Sequence, residues 1–162
     1  MYGKYEVKTF LDQKKIEYIW KEHEPVYTID EMLALGLEEE NQVAKNLFLR
    51  DAKGKRHFLV VIKTEKTLTL KELGERLEIG KLSFASEERL QKYLGVEKGS
   101  VTPFGILNDE SKSVEVIFDK DFDKNDSIGV HPNSNTASVF LKIEDLQNIV
   151  EEHGNRLIYF AL

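Results

Sequence analysis

Two short polar motifs hold the side chains of this 162-residue chain that could do chemistry. The first begins with Lys45 and Asn46 and continues as an apolar run to Leu49. The second runs from His131 to Ala137 and holds an imidazole, two amides and two hydroxyls behind a rigid proline. Each motif alone is a weak signal. Because folding can bring distant loops to one cleft, the two together suggest a shared polar site.

Either motif also has a purely structural interpretation. In an extended strand Lys45 shares a face with two leucines. Its ammonium group then either extends along this apolar surface to solvent, or anchors a phosphate or polar substrate group beside an apolar pocket. The side chains of residues 131–137 either bond to neighbouring backbone and shape a surface turn, or position a ligand hydroxyl or carbonyl. The sequence leaves both alternatives open.

A third segment, residues 99–105, has a glycine at each end. These glycines would allow backbone N–H groups to approach a ligand closely, although a simple turn before a strand fits equally well. The segment consists of Gly99, Ser100, Val101, Thr102, Pro103, Phe104 and Gly105.

The motifs of several common catalytic classes are missing. The chain has no cysteine, which excludes disulfides, thiolate zinc sites and cysteine nucleophiles. Its four histidines show no metal-ligand spacing, and no nucleophile elbow, P-loop or dinucleotide-binding motif occurs. His23, followed by a glutamate and a proline, is interpreted as part of a surface turn. We therefore expect neither a metal nor a cofactor.

The charge of the chain is unevenly distributed. A net charge of −6 argues against sequence-blind binding to nucleic acid, yet residues 43–72 contain eight Lys or Arg against three acidic residues, a local charge of +5. This basic segment is either a solvated hairpin or a surface that engages a phosphate-bearing partner.

The length of the chain favours one domain over residues 1–162, large enough to bury about 70% of its unfolded surface. The first residues lack the apolar stretch of a secretory signal, and no apolar run approaches the ~18 residues of a membrane span. We therefore expect a cytoplasmic protein without membrane contact.

Periodicity and turn residues predict an α+β fold. The clearest element is a hairpin of strands at 43–49 and 58–62 around a turn at 51–55. Helices are predicted at 4–15, from a capping box at Thr28 to Gly36, from a second box at Thr69, from Ser86 to Gly95, and around 146–150. Further strands are predicted at 17–20, 106–107, 114–118, 128–130, 138–143 and 157–162. This order favours a single compact domain with one curled mixed β-sheet of about six or seven strands and surrounding helices.

At five places the residues resemble the freestanding prolyl-tRNA editing proteins of the YbaK-like aminoacyl-tRNA deacylase superfamily, and most closely their alanine-directed branch. The matching segments follow in order at 45–49, 84–86, 99–105, 108–109 and 131–137. The resemblance extends from about His23 to the C-terminus and implies the YbaK/prolyl-tRNA synthetase-associated domain fold. Ser138 departs from it slightly, since threonine is common there in the family.

The resemblance implies a hydrolase that removes a mischarged amino acid, expected to be alanine, from proline tRNA. The essential lysine of the family falls on Lys45, which is expected to engage the terminal adenosine region. The implied partners are the acceptor end of a mischarged tRNA, expected to be Ala-tRNA(Pro), and prolyl-tRNA synthetase. The residues implied for substrate binding are Asn46, Gly99, Ser100, Val101, Thr102, Pro103, Phe104, Gly105, His131, Asn135 and Thr136.

Such an enzyme needs no conventional nucleophile, because an aminoacyl ester is already activated. Positioning, carbonyl polarisation and a nearby ribose hydroxyl could suffice for attack by water, with Lys45 holding phosphate or ribose. A pocket sized for a methyl group would reject the proline ring by size. The basic hairpin would contact the acceptor stem through Arg50, Lys53, Lys55 and Arg56.

Two other interpretations stay open. One is a related deacylase that acts on a tRNA mischarged with cysteine, serine or threonine. The other is a non-catalytic module that binds tRNA ends or a synthetase.

Overall fold

Eight strands and five α-helices occur in the two ranges, residues 1–34 and 44–162, that this computed structural model describes. In chain order they are α1 (Lys4–Gln13), β1 (Tyr18–Glu22), α2 (Ile29–Ala34), β2 (Ala44–Asp51), β3 (His57–Lys63), α3 (Leu70–Arg76), β4 (Leu82–Phe84), α4 (Glu87–Leu94), β5 (Val114–Asp119), β6 (Ser127–Val130), β7 (Ala137–Lys142), α5 (Ile143–His153) and β8 (Leu157–Phe160). A 3-10 helix, Pro103–Asn108, precedes β5. None of the helices in these ranges has the length and apolarity needed to cross a bilayer.

The strands form two sheets. The larger has the order β4-β2-β3-β5-β8, in which β2 pairs antiparallel with β3 and β4, whereas β3, β5 and β8 run parallel to one another. The smaller is antiparallel, with the order β1-β7-β6. The α+β class and the mixed sheet are therefore confirmed, but hydrogen bonding divides the strands between two sheets where the sequence indicated one.

The central strands of the larger sheet are apolar on both faces, because each face is covered. Leu59 and Val61 of β3 belong to a core that lies between the two sheets and includes side chains of α1, α4 and α5. Phe58, Val60 and Ile62 point to the opposite face, where α3 covers them. Burial on both sides explains why β3 is a continuous apolar run rather than an alternating one.

Local capping signals define several helices as the sequence predicts. Thr69 Oγ1 accepts a hydrogen bond from the Glu72 N–H at 3.1 Å, and the Glu72 carboxylate accepts one from the Thr69 N–H at 3.4 Å, so α3 begins with a capping box. Ser86 Oγ caps α4 by accepting a hydrogen bond from the Arg89 N–H at 3.2 Å, and α4 ends at Gly95, whose φ of 63° is accessible to glycine without strain.

Two predictions of local structure need correction. Ile106 and Leu107, predicted to form a strand, belong to the 3-10 helix, because Thr102 caps its first turn and Pro103 fixes φ there. The three-residue strand β4 was not predicted, since so short a segment has no usable period. Gly36 and Val43, named above as element ends, lie outside the described residues.

Candidate functional site

A cavity of about 220 Å³ lies beside the first half of β2. It brings the start of β2 together with the ends of β6 and β7, the segment after β1 and the loop before the 3-10 helix. Its walls are Val26, Tyr27, Thr28, Ala44, Lys45, Asn46, Gly99, Val101, Gly129, Val130, His131 and Ser138. The two motifs that open the sequence analysis therefore share one cavity.

The cavity exists because one edge of β2 is open there. β4 pairs with β2 only from Leu49 to Asp51, and the Ala85 N–H extends this contact to the Phe48 carbonyl at 2.9 Å. Side chains of neighbouring strand residues point to opposite faces, yet at an open edge both faces border the same space. Lys45 and Asn46 therefore both line the cavity.

A fixed carbonyl group holds the ammonium group of Lys45. Lys45 Nζ donates a hydrogen bond to the Lys66 carbonyl oxygen at 3.0 Å. The Lys66 ammonium is itself bonded to Asp119 Oδ1 at 2.8 Å, Asp121 Oδ2 at 2.6 Å and the Leu162 main-chain oxygen at 2.8 Å. Burial acts to lower the pKa of Lys66, but the bonds to the two carboxylates outweigh it and hold this pKa above its ordinary value.

Asn46 contributes an acceptor that no other described residue uses. Its side chain lies on the face opposite Lys45, and its Oδ1 is buried without a hydrogen-bond partner among the described residues. A buried polar atom without a partner is costly. The amide is therefore suited to accept a hydrogen bond from a bound ligand.

His131 presents a neutral imidazole in one tautomer. Its Nδ1 lies 2.9 Å from the Ala137 carbonyl oxygen, which can only accept, so Nδ1 carries the proton and Nε2 holds a lone pair. Burial lowers the pKa of His131, the bond to Ala137 opposes this, and the neighbouring His23 adds to the lowering. The ring is therefore uncharged at neutral pH.

His23 stands beside His131, in a segment whose next residues, Glu24 and Pro25, are exposed, as expected for a surface turn. The two ring centroids are 6.0 Å apart. His23 Nδ1 donates to the Glu24 carbonyl at 2.8 Å, which leaves Nε2 to accept from Ser138 Oγ at 2.9 Å. The long-range contact with β7 holds this segment at the cavity.

Hydrogen bonds join the loop at 131–137 to the segment at 99–105. Thr102 Oγ1 donates to the His131 carbonyl oxygen and accepts from the Phe104 N–H at 3.3 Å. Asn133 Nδ2 reaches back to the Phe104 carbonyl at 3.3 Å. The loop at 131–137 and the segment at 99–105 therefore form one unit.

The predicted substrate residues divide into a lining set and a supporting set. The lining set is Lys45, Asn46, Gly99, Val101 and His131. The supporting set stands behind the wall and consists of Ser100, Thr102, Pro103, Phe104, Gly105, Asn135 and Thr136. The expectation that the whole 99–105 loop forms the pocket is therefore too broad.

The supporting residues act by packing and anchoring. Phe104 is fully buried in the core, and a Cβ on Gly105 would lie 2.8 Å from Leu94 Cβ, so this glycine is needed for close packing on α4. Asn135 Nδ2 donates to the Val26 carbonyl at 2.9 Å and thereby ties the 131–137 loop to the segment that carries Tyr27.

The basic hairpin lies at the far end of β2 from the cavity. Six residues of extended strand separate Lys45 from Asp51, a distance of about 20 Å. Lys53 and Lys55 are exposed there. Arg56 instead forms two bonds to Glu115, at 3.0 and 2.9 Å, so a partner within the fold already compensates its charge.

Several lining residues were missed from the sequence. Tyr27 and Thr28 border the cavity, although Thr28 was interpreted only as a helix cap. Gly129 was also missed, and a Cβ there would lie 2.6 Å from the Phe140 ring. A glycine inside a strand often marks such a close approach, so this signal was available.

The site can bind and orient a small polar substrate. It combines an ammonium donor, an unpaired amide acceptor and a neutral imidazole in a space smaller than the ~300 Å³ or more of sites for drug-sized ligands. In residues 1–34 and 44–162, no group of three or more His, Asp or Glu is placed to hold a metal ion.

The comparisons with known proteins agree with this site. The model of the aminoacyl-tRNA editing domain matches residues 23–149, so the chain belongs to that family. The prolyl-tRNA editing protein ProX of Acetoanaerobium sticklandii is 52% identical over 145 residues, which cover 90% of this chain and 88% of the relative. A zebrafish (Danio rerio) prolyl-tRNA synthetase associated domain-containing protein 1 is 35% identical over 149 residues, which cover 91% of this chain and 80% of that protein.

Solved structures confirm the fold. A crystal structure described as that of a candidate trans-editing enzyme for prolyl tRNA synthetase superposes with a TM-score of 0.68 at 20% identity, over 96% of this chain and 94% of that one. The resemblance found in the sequence is thus confirmed, and so is the enzyme class, an aminoacyl-tRNA deacylase.

Proposed function

We propose that this chain is a trans-editing hydrolase that removes alanine from mischarged proline tRNA. The proposal rests on the observation that Lys45, Asn46 and His131 line the same small cavity. The names of the relatives, a prolyl-tRNA editing protein among them, support proline tRNA as the substrate. The size of the cavity supports a small amino acid.

Selection for alanine would rest on the size of the cavity. Its volume of about 220 Å³ must hold the amino acid and the ester, and its wall at Gly129 is backed by the buried Phe140 ring. A densely packed wall cannot give way to a larger ring without strain. We therefore expect the five-membered ring of proline to be excluded.

Hydrolysis would be assisted by the substrate itself. Among the described residues, only the Lys66 carbonyl accepts from Lys45, so two of its three N–H donors are left there for a phosphate or ribose oxygen at the tRNA terminus. With the ester held in place, a ribose hydroxyl next to the ester can orient the attacking water. Placement of this kind supplies much of a catalytic rate enhancement.

Ser138 offers a different route that must be tested. Its hydroxyl contacts His23 Nε2 at 2.9 Å, an arrangement that resembles a serine activated by a base. His23 Nδ1 is bonded to the Glu24 main-chain carbonyl and not to a carboxylate, however, so the acidic member of a catalytic triad is not paired with this histidine. We expect Ser138→Ala to retain deacylation within about tenfold, and a trapped acyl-enzyme in the wild type would contradict this.

The basic hairpin would contact the acceptor stem. Lys53 and Lys55 are exposed and carry no carboxylate partner among the described residues, whereas Arg56 is paired with Glu115. Replacing both lysines by glutamine should reduce the slope of log affinity against log salt by about 1.8, at roughly 0.9 per phosphate contact. An unchanged slope would remove the hairpin from the interface.

The deciding experiment is a panel of proline tRNA charged with alanine, cysteine, serine or proline. We expect the alanyl ester to be hydrolysed and the prolyl ester to survive. Lys45→Ala should lower kcat/KM by about 100-fold or more, because even a small misplacement of the ester can cost about 100-fold in rate. Lys81→Ala, at an exposed lysine outside the cavity, is the matched control.

Each result of the panel has a consequence. Turnover of cysteine or serine in place of alanine would indicate a related deacylase, and no turnover of any ester would contradict the proposal. Binding to prolyl-tRNA synthetase and a cytoplasmic location stay predictions.

A further inference from the structure

The N-terminal helix α1 packs beside the loop that carries His131, although it lies outside the matched editing domain. The model of that domain covers residues 23–149, whereas α1 spans Lys4–Gln13. Val7 and Leu11 of this helix are completely buried, so α1 is a fixed part of the core. Groups at its N-terminal end can therefore hold a neighbouring loop in place.

Lys4 makes the first of two contacts with the 131–137 loop. Its ammonium group donates a hydrogen bond to Thr136 Oγ1 at 3.0 Å and forms an ion pair with Glu22 of β1 at 2.5 Å. The hydrogen bond from Lys4 lowers the pKa of the Glu22 carboxyl below its ordinary value, so this pair is ionised at neutral pH. The Lys4 side chain is only 17% exposed, and it joins β1 to the loop.

The main chain of Tyr2 makes the second contact. Its carbonyl oxygen accepts a hydrogen bond from Asn133 Nδ2 at 2.8 Å, and its N–H donates to Asn108 Oδ1 at 2.6 Å. Asn108 is in turn bonded to the Leu94 carbonyl at 2.9 Å, which ties this contact to α4. The segment that begins α1 therefore contacts the loop at two of its residues, 133 and 136.

Thr136 connects Lys4 to the imidazole of His131. Its main-chain carbonyl accepts a hydrogen bond from the His23 N–H at 2.9 Å, so both its side chain and its backbone are anchored. The next residue, Ala137, accepts the Nδ1–H of His131 with its carbonyl oxygen. Thr136 thus lies between the ammonium group of Lys4 and the bond that sets the tautomer of His131.

We propose that Lys4 is a positioning residue of the candidate active site. Its bond to Thr136 fixes the end of the 131–137 loop, and the Ala137 carbonyl then holds the His131 ring at the cavity with Nε2 unprotonated. Lys4 is not among the described residues that line the cavity, so it acts through Thr136 and not by contact with substrate. The proposal rests on the proposed function, because a fixed imidazole affects hydrolysis only if an ester is oriented beside it.

NMR of the histidine rings tests the positioning without a substrate. The chain has four histidines, and His131→Gln identifies the signals of His131. At about pH 8, above the ordinary pKa of histidine, we expect the wild type to carry the ring proton on Nδ1 alone. Lys4→Met keeps an unbranched side chain and removes its donor, so the His131 proton should distribute over both ring nitrogens. Thr136→Val removes the acceptor without a change of charge and should have the same effect.

Single-turnover hydrolysis of alanyl-tRNA(Pro) measures the consequence for the reaction. We expect Lys4→Met and Thr136→Val each to lower the rate about tenfold, because a small misplacement near the reacting atoms is costly. Since both substitutions remove the same bond, the double variant should fall no more than about twofold further, whereas independent effects would multiply to about 100-fold. Urea denaturation of each variant establishes that folded proteins are compared.

Two control variants separate the bond to Thr136 from other effects of the substitution. Lys8→Met removes the same charge one turn further along α1, where the Lys8 ammonium lies 5.4 Å from the centre of the Trp20 ring. Glu22→Gln removes the ion pair and leaves the bond from Lys4 to Thr136 in place. Both controls should keep the rate within about twofold of the wild type and the single tautomer of His131.

These measurements distinguish failure of this proposal from failure of the proposed function. An unchanged rate or an unchanged His131 tautomer in Lys4→Met would overturn the positioning role even if alanine is hydrolysed efficiently. Multiplied effects in the double variant, or losses in Lys8→Met or Glu22→Gln as large as in Lys4→Met, would overturn it as well. A mixed His131 tautomer in Lys4→Met and Thr136→Val, with no hydrolysis of any ester by the wild type, would support the positioning of the loop and overturn the proposed function.

Discussion

Asp119 helps to position Lys45 indirectly, through Lys66. It is 1% exposed and accepts three hydrogen bonds, from Lys66 Nζ at 2.8 Å, the Lys63 N–H at 3.2 Å and the Asp121 N–H at 3.0 Å. The first of these bonds fixes Lys66, whose carbonyl oxygen receives Lys45 Nζ. A substitution at Asp119 should therefore shift the Lys66 backbone and, with it, the Lys45 side chain in the candidate active site.

The substitution Asp119→Asn keeps the shape and removes the charge. In either orientation of the amide, its NH₂ group faces at least one N–H donor, and the hydrogen bond to that donor is lost. At least one remaining hydrogen bond then has a neutral amide oxygen as its acceptor in place of a carboxylate oxygen. Hydrogen bonds to charged groups contribute roughly 1.5–3 kcal/mol each. Lys66 is 17% exposed and keeps two other oxygen partners, so we expect its bond to Asp119 to contribute at the low end of this energy range. We expect the free energy of unfolding to fall by about 2–3 kcal/mol.

Urea denaturation measures this change in stability, and single-turnover deacylation measures its effect on the site. The melting temperature should fall by about 4–12 °C, at 2–4 °C per kcal/mol for a chain of this size. The rate should fall about tenfold, because a small misplacement of a positioning group is costly. The matched control is Asp121→Asn, since Asp121 contacts the same ammonium group with a side chain that is 58% exposed.

The comparison of these two variants can refute the reasoning. The control should lose much less stability than Asp119→Asn and should keep its deacylation rate. Equal losses in both variants, or wild-type stability in Asp119→Asn, would show that burial of the carboxylate does not hold the Lys66 turn.

Three further predictions follow from buried or crowded positions. Burial lowers the pKa of His57, so below about pH 6.5 the unfolded state binds a proton more readily than the folded state does. The free energy of unfolding should therefore decrease as the pH falls below that value. His57→Gln should reduce this pH dependence, measured by urea titrations between about pH 5 and 7. Gly99→Ala should lower deacylation more than stability, because φ is 89° and the new Cβ would lie 2.9 Å from Tyr27 Cδ1 at the cavity. Gly129→Ala should cost about 1–3 kcal/mol in thermal unfolding, because its Cβ would lie 2.6 Å from the buried Phe140 ring; wild-type behaviour of any of the three would contradict its prediction.

Local signals in the sequence predicted local structure well. The capping box at Thr69 and the pair of Ser86 and Gly95 act within a few residues, so their effect can be read without knowing the fold. The β2–β3 hairpin was equally clear, because apolar strands flank a short polar turn. At Ile106 the apolar pair was interpreted as a strand, although the Thr102 cap and Pro103 just before it start a 3-10 helix.

The site was predicted in part, and the missing part depends on contacts between distant segments. Lys45 and His131 stand in polar motifs that were ambiguous by themselves, and the family resemblance made them candidate site residues. Tyr27 and Ser138 were missed because only the pairing of β1 with β7 brings their segments to the cavity. The division of the 99–105 segment into lining and supporting residues likewise follows from tertiary packing, which a run of seven residues does not reveal.

The central claim is that the protein edits mischarged proline tRNA in one small cavity bordered by Lys45. A single-turnover comparison of two esters tests this claim most directly. Alanyl- and prolyl-tRNA(Pro) are each mixed with excess wild-type protein, and the two first-order rates are measured beside those of Lys45→Ala. We expect rapid loss of alanine, no loss of proline above the spontaneous rate, and a rate for Lys45→Ala about 100-fold lower on the alanyl ester. Equal rates on the two esters, or an unchanged rate in Lys45→Ala, would contradict the account.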